Sequence, residues 1–317
     1  MSTSSSVRRA SLLITPAALA EDLSKTPESI KILDATWFMP NLVPPRNPYK
    51  EFLAGPRLKG VTGFWDVDDV ADKTHPLGLK HMLPSPDNFA QACSKLGIQR
   101  DSKVVVYDTH GVFSAPRTVF SFKAFEHPEV YVLDGGLPRW KAEGFPVEEG
   151  QFSSSETNYP TPSFDKDFIR SYKDVSSNAS KSSEDPSLEL VLDARPGGRF
   201  SGSDPEPRPG LSSGHMPHSV SLPFSVLLSE PSSTQPSYKT LLPRDKLKDA
   251  ILKALGGDQA KLQALLAGKL RVVNSCGSGM TAAIIWLALQ ELGVKSAVYD
   301  ESWTGYAMRK ESKILKA

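Results

Sequence analysis

Covalent chemistry at neutral pH without a cofactor most readily needs a thiol, and this chain holds only two, Cys93 and Cys276. Cys276 stands in "VVNSCGSGMTAAIIWLALQELG", residues 272 to 293. A strand-like run, "LRVV", ends just before it, and a helix with apolar residues at helical spacing is expected from about Thr281 onward. Gly277, Ser278 and Gly279 are small enough for the backbone to curl around the sulfur. Their amide N–H groups would then point inward as an anion nest, and the following helix would add its positive end. Such a setting lowers a thiol pKa from about 8.5 into the range of roughly 3.5 to 7.5. The chemistry this implies is a thiolate nucleophile. The alternative is a cysteine packed as a small hydrophobe. Cys93, inside the helical pattern "NFAQACSKLGI", suits that second role.

A loop of this kind needs a sheet to hold it. Short β-branched runs alternate with helical patterns along the 317 residues, and they do so twice. "KILDATWF" (31–38) is matched by "LVLDARPGGRF" (190–200), and "KVVVYDTHGVFSAPRTVF" (103–120) by "LRVVNSCGSGMTAAIIWL" (270–287). "VYVLDGGLPRW" (130–140) is matched by "SAVYDESWTGY" (296–306). Asp34 then corresponds to Asp193, Asp108 to Cys276 and Asp134 to Asp300. A duplicated domain follows. Each copy is expected to be α/β, a parallel sheet with helices on both faces, because its strands are continuous apolar runs bounded by turn residues. "SPDNFAQACSKLG" reads as one covering helix, with Ser85 as N-cap and Gly97 as its stop. Ligands bind beyond the carboxyl ends of strands in such sheets, and Cys276 sits at one. Its counterpart in the first copy, Asp108, carries no thiol, so only one copy is expected to be active.

The organisation expected is a tail or short presequence at 1–10, a first domain at 11–149, a linker at 150–165 and a second domain at 166–317. The linker is Ser-rich and broken by prolines. "SSNASKSSEDPS", 176 to 187, reads as an exposed loop. The N-terminus is Ser-rich, carries Arg8 and Arg9 and has no acid before Glu21. That composition suits either a mitochondrial presequence or a plain tail.

Composition excludes several function classes. At 39% hydrophobic and 23% charged the chain has material for two cores. Thirty-seven basic against 36 acidic residues leave a net charge of +1, which argues against nucleic acid as partner. Two distant cysteines form no disulfide framework, and with scattered histidines they form no expected metal site. A reducing, intracellular place of action is expected, mitochondrial or cytoplasmic. No apolar run approaches the roughly 18 residues that span a bilayer, so no membrane is expected as a partner.

The duplication, taken with "HMLP" (81–84), "LDGGLPRW" (133–140), "LDARPGGRFSGSDPEPRPG" (192–210), "GHMPHSV" (214–220), "CGSGMTA" (276–282) and "YDESW" (299–303), resembles the rhodanese superfamily, and within it the tandem-domain mercaptopyruvate sulfurtransferase group. The resemblance covers about 11 to 310. It implies two tandem rhodanese-like domains, each around a five-stranded sheet, the first silent and the site in the cleft between them. Cys276 matches the persulfide-forming cysteine. Arg199 and Arg208 match the arginines that hold the substrate carboxylate and carbonyl, a task suited to guanidinium forks. Asp68, His81 and Ser278 match an acid–base relay across the domain interface, with Asp66 or Asp69 as alternatives for its acid. Gly277, Gly279, Met280 and Thr281 complete the implied pocket, Met280 standing where the family usually has valine.

Relatives that prefer thiosulfate carry basic residues directly after the cysteine. The uncharged Gly277-Ser278-Gly279 therefore favours the monoanionic keto acid 3-mercaptopyruvate as sulfur donor. The implied acceptors are thioredoxin or another thiol, cyanide in an assay, or a protein sulfur carrier. No metal or organic cofactor is implied. Two rival readings fit less well. A phosphatase on this fold needs Cys-x5-Arg, and position 282 is Ala282. A non-enzymatic binding module would have no reason to keep Cys276, Arg199 and Arg208 together.

Overall fold

The computed structural model describes residues 11–150, 152 and 154–317. The tail or presequence expected at 1–10 lies outside them. The first half contains β1 (Leu13–Ile14), β2 (Ile30–Asp34), β3 (Arg57–Leu58), β4 (Gly63–Phe64), β5 (Lys103–Tyr107), β6 (Val130–Leu133) and β7 (Val147–Glu148). The second contains β8 (Ile169–Arg170), β9 (Glu189–Asp193), β10 (Ser219–Ser221), β11 (Arg271–Ser275) and β12 (Ala297–Tyr299). One sheet runs β1-β6-β5-β2-β4, and the other, read in the same sense, β8-β12-β11-β9-β10. Every neighbouring pair within them is parallel. β3 and β7 form a separate antiparallel ribbon. The expected α/β class is thus met by two sheets of one topology.

The register repeats as well. Asp34 pairs with Tyr107 across β2 and β5, and Asp193 pairs with Ser275 across β9 and β11. Asp108 and Cys276 are the next residues in their chains, so they stand at equivalent points. The helix after each runs Ala115–Ala124 and Ala282–Glu291. Both are buried on nearly every side, as helices apolar all round must be, because each packs on its own sheet and on the other helix. Phe120 meets Trp286 edge to face at 5.2 Å in that contact. One continuous apolar cluster therefore crosses both halves, from Val104 and Phe122 to Ile285 and Val298.

Ser85 caps its helix, Pro86–Lys95, by accepting from Asn88 N–H. Gly97 follows at φ +66°, where a side chain would be strained. Cys93 is wholly buried in the core, and burial pushes its thiol up, away from the reactive thiolate. The stretch read as a linker is docked on the first half. Thr157 N–H donates to Ser94 O, and the Tyr159 ring is buried against Phe89. One expectation fails. Ser176 to Ala179, read as exposed loop, belong to a helix, Tyr172–Ala179, started by a reciprocal cap between Ser171 and Asp174. Asn178 is buried there because its amide bonds both the N–H and the C=O of Glu189 at the start of β9. Composition alone could not show that tertiary partner.

His127 ties the docked segment to the core. Its Nε2 faces Ser102 O, an acceptor only, so Nε2 carries the proton and Nδ1 accepts from Tyr159 OH, each at 2.9 Å. Burial lowers its pKa to about 4. Because that lies below the unfolded value, the neutral ring stabilises the fold above pH 6.5 and the contribution is lost as pH falls toward 4. Buried Asp34, raised to about 6 by desolvation, runs the other way, stabilising at low pH and losing its contribution as pH rises through 6. The two offset in the parent, so the informative quantity is a difference. We expect the stability gap between the parent and His127→Gln to widen by about 3 kcal/mol from pH 4 to 6.5, measured by denaturant unfolding. A gap independent of pH would show that His127 is not the acid-labile group.

Candidate active site

β11 delivers Cys276 into a short loop stitched to the chain after β12. Cys276 N–H donates to Ser302 Oγ (3.2 Å), and Trp303 N–H donates to Cys276 O (2.9 Å). Gly277 O accepts from both the N–H and the hydroxyl of Thr304, at 2.9 and 2.6 Å. Ser302 takes a left-handed φ of +49° to make this join. Gly279, at φ +83°, closes the other side, where a Cβ would stand only 2.9 Å from Asp300 O. The chain after β12 thus takes up the carbonyls of both Cys276 and Gly277. None of the N–H groups of Gly277, Ser278, Gly279, Met280 or Thr281 has a hydrogen-bond partner among the described residues. Cys276 itself is 2% exposed.

The first half shows what such amides do when filled. Asp108 Oδ2 accepts from the N–H groups of Phe113, Ser114 and Ala115 at 2.8 to 2.9 Å, and Oδ1 from His110 N–H. A carboxylate of the chain's own thus occupies that nest, while the nest beside Cys276 stands open to a developing anion.

Two guanidiniums close on the loop from one side. A Cβ at Gly277 would lie 3.3 Å from both Arg199 Nη2 and Arg208 Nη1, a tight contact that a side chain there would make with both guanidiniums. The two arginines differ. Arg199 is gripped at Nε and Nη2 by Glu206, so its fork is already engaged. Glu206 also accepts from Arg195 Nη1 at 2.8 Å, and Arg195 spans Asp193 with its other edge while lying 4.1 Å over the Trp303 ring. Arg208 makes no hydrogen bond or ion pair among the described residues. Burial and then the like charge of Arg199 hold its pKa below the ordinary arginine value, against the opposing pull of Cys276 and Glu206. Three cations (Arg195, Arg199, Arg208) face two anions (Asp193, Glu206). One positive charge remains for an incoming carboxylate or a thiolate.

Of the three candidate acids, Asp68 is the one against His81. Its Oδ1 stands 2.8 Å from His81 Nδ1, without the alignment of a hydrogen bond, and its Oδ2 accepts from Trp37 Nε1. Asp66 instead caps the helix Val67–Val70, and Asp69 is exposed beside Lys73. Burial raises the Asp68 carboxyl, but His81, Trp37 and Lys80 together outweigh it and hold it below the usual carboxylate value. His81 is 1% exposed, and its Nε2 has no hydrogen-bond partner among the described residues. No hydrogen bond joins His81 to Ser278 among those residues. Met280 is buried core (3% exposed), and Thr281 sits at the helix start without capping it through its side chain. Glu206, Arg195, Ser302 and Thr304 had no role in the sequence reading. The spaced Arg, Arg, Glu and Arg of "ARPGGRFSGSDPEPR" was the available signal for the first two. Among the described residues no three His, Cys, Asp or Glu gather as a metal site, and no helix is long and apolar enough to cross a membrane.

A thiol at a strand end, inside an open amide nest beside two guanidiniums, on a duplicated parallel α/β frame, defines a cysteine-loop protein of the rhodanese type. The family model of the rhodanese-like domain matches residues 48–143. A probable 3-mercaptopyruvate sulfurtransferase of Schizosaccharomyces pombe is 34% identical over 304 residues, 95% of this chain and 94% of its own. A mitochondrial thiosulfate/3-mercaptopyruvate sulfurtransferase 1 of Arabidopsis thaliana is 36% identical over 301 residues, 88% of this chain and 72% of its own. The crystal structure of the Tum1 protein of Saccharomyces cerevisiae superposes with a TM-score of 0.80 at 29% identity, covering 96% of this chain and 98% of that one. The chain belongs to the rhodanese-like family of 3-mercaptopyruvate sulfurtransferases.

Proposed function

We propose that this protein moves sulfur from 3-mercaptopyruvate to a thiol through a persulfide on Cys276. The Cys276 thiolate attacks the donor sulfur, an S–S bond forms, and the donor C–S bond breaks. The electron pair passes to carbon as the pyruvate enolate, which takes a proton to become pyruvate. The outer sulfur then goes to an acceptor thiolate, which leaves carrying the persulfide and restores Cys276. Thioredoxin, another thiol, a protein sulfur carrier, or cyanide in an assay would serve. The observation that carries this reading is the run of five amides after Cys276 with no partner among the described residues, at the point where the first half's amides hold Asp108. They stabilise the thiolate and the charge that develops on transfer.

Arg208, with no anion of its own, takes the donor carboxylate, and Arg199 offers the guanidinium edge that Glu206 leaves. Ser278, His81 and Asp68 supply the proton relay, His81 through its unpaired Nε2. Met280 and Thr281 wall the pocket. The first half is catalytically silent in this reading because Asp108 fills its nest, and the site lies between the domains at 11–149 and 166–317. The uncharged Gly277-Ser278-Gly279 favours the keto acid over dianionic thiosulfate, and the place of action is intracellular, mitochondrial or cytoplasmic.

Mass spectrometry of the intact protein tests the reading. Mixing with 3-mercaptopyruvate should add the mass of one sulfur atom, removable by a thiol, and release one pyruvate. Steady-state rates with both donors on one preparation should favour 3-mercaptopyruvate. No added sulfur would sink the persulfide, and a faster thiosulfate rate would overturn the donor.

A further inference from the structure

Arg117 belongs to the first half, on the helix that follows Asp108, yet it reaches across to the cysteine loop. It is 1% exposed. Its Nη2 donates at 2.6 Å to both His81 O and Asp300 Oδ1, while Asp300 Oδ2 accepts from Leu83 N–H at 2.7 Å. The Arg117–Asp300 pair therefore grips the chain immediately on either side of Met82. That grip falls on a strained segment, because His81 holds a left-handed φ of +63°. A non-glycine residue persists in this region only where its surroundings over-determine it. The same pair touches the nucleophile loop. Asp300 O and Arg117 Nη1 would lie 2.9 and 3.4 Å from a Cβ at Gly279, and Nη1 is buried with no hydrogen-bond partner among the described residues.

We infer that Arg117 is a positioning residue that joins the His81 segment to the Cys276 loop through Asp300, so that the silent half sets the geometry of the live one. This rests on the sulfurtransferase reading of Cys276 and His81. Held at its carbonyl, His81 keeps its ring against Asp68 and Trp37 with Nε2 unpaired. Without Arg117 the backbone at 81 relaxes toward negative φ and swings the ring away. Arg117→Lys keeps the charge but loses Nη1, the nitrogen set toward Gly279, and the planar guanidinium that fixes the direction of both Nη2 bonds.

The test uses the full-length protein with 15N-labelled histidine, whose six rings give few signals. His81→Asn, which tolerates a left-handed φ, assigns the His81 signals and removes the base. In Arg117→Gln, or in Arg117→Lys should the first not fold, the His81 ring signals should shift while those of the histidines remote from Arg117 stay. With 3-mercaptopyruvate, kcat should fall about 10- to 100-fold and KM change less than about threefold, as expected for a misplaced proton-transfer group. In the His81→Asn background the same substitution should cost less than about twofold, since residues acting as one unit are not additive. An equal loss in both backgrounds, or unmoved His81 signals, overturns the inference. Should the parent transfer no sulfur at all, the functional reading falls, and the ring signals still decide whether Arg117 positions His81.

Discussion

Replacing Cys276 by serine will abolish sulfur uptake from 3-mercaptopyruvate and leave the fold almost as stable as the parent. The stability half follows from where the residue is held. Its backbone is fixed by Ser302 Oγ and Trp303 N–H, contacts that serine keeps. The new hydroxyl would also sit among unpaired amides able to donate to it, so its burial is compensated, and a change below about 1 kcal/mol is expected. The catalytic half follows from the nucleophilic atom. Sulfur is intrinsically a strong nucleophile and holds a second sulfur as a persulfide, whereas a hydroxyl is a weak nucleophile and cannot store sulfane sulfur. Turnover should drop at least about 10⁴-fold, and the intact mass should show no added sulfur. Cys93→Ser is the control with opposite expectations. Turnover should hold, while stability drops by about 1 to 3 kcal/mol, because the hydroxyl enters an apolar core. A Cys276→Ser protein that still turns over within tenfold of the parent would remove Cys276 from the reaction.

Glu206→Ala should be the most damaging change outside the cysteine. Its carboxylate is 1% exposed and holds two arginines, Arg195 at 2.8 Å and Arg199 by a two-point grip. Removal leaves Arg195 buried with Asp193 as its remaining anion, and leaves Arg199 and Arg208 repelling each other beside Gly277. Breaking a buried pair in this way costs about 3 to 5 kcal/mol, to be read by denaturant unfolding. In the surviving folded protein Arg199 loses its orientation, so KM for 3-mercaptopyruvate should rise more than kcat falls, since the lost term is ground-state binding. Glu206→Gln keeps an acceptor and should fall between parent and Ala. A loss under about 1 kcal/mol with KM unchanged would mean that Glu206 neither supports the fold nor aims Arg199.

Much of this was legible in residue order. Alternation of short apolar strands with helices is local, so the parallel α/β class, the duplication, the N-cap at Ser85 and the helix after Cys276 could all be read from the chain. The equivalence of Asp108 and Cys276 could be read too, because strand register preserves counting. What local pattern cannot carry is who answers a polar group from far along the chain. Asn178 looked like loop until Glu189 satisfied its amide, and the Ser-rich linker looked free until Tyr159 found its pocket.

The site divides the same way. Cys276 and its small-residue loop were apparent from residue type and neighbourhood, whereas Arg199 and Arg208 came only with the family resemblance. The sequence alone, however, treated Arg199 and Arg208 as a matched pair and left three aspartates open beside His81. Tertiary structure separated them: Arg199 is held at one edge by Glu206 while Arg208 has no hydrogen bond or ion pair among the described residues, and Asp68 meets His81 while Asp66 caps a helix. It also brought Arg117 against His81 within the first half and across the seam to Asp300. Charge pairing and hydrogen bonding depend on distances of a few ångströms between segments far apart in the chain, 217 positions for Leu83 and Asp300, and the packing of the two sheets through the Ala115–Ala124 and Ala282–Glu291 helices sets those distances.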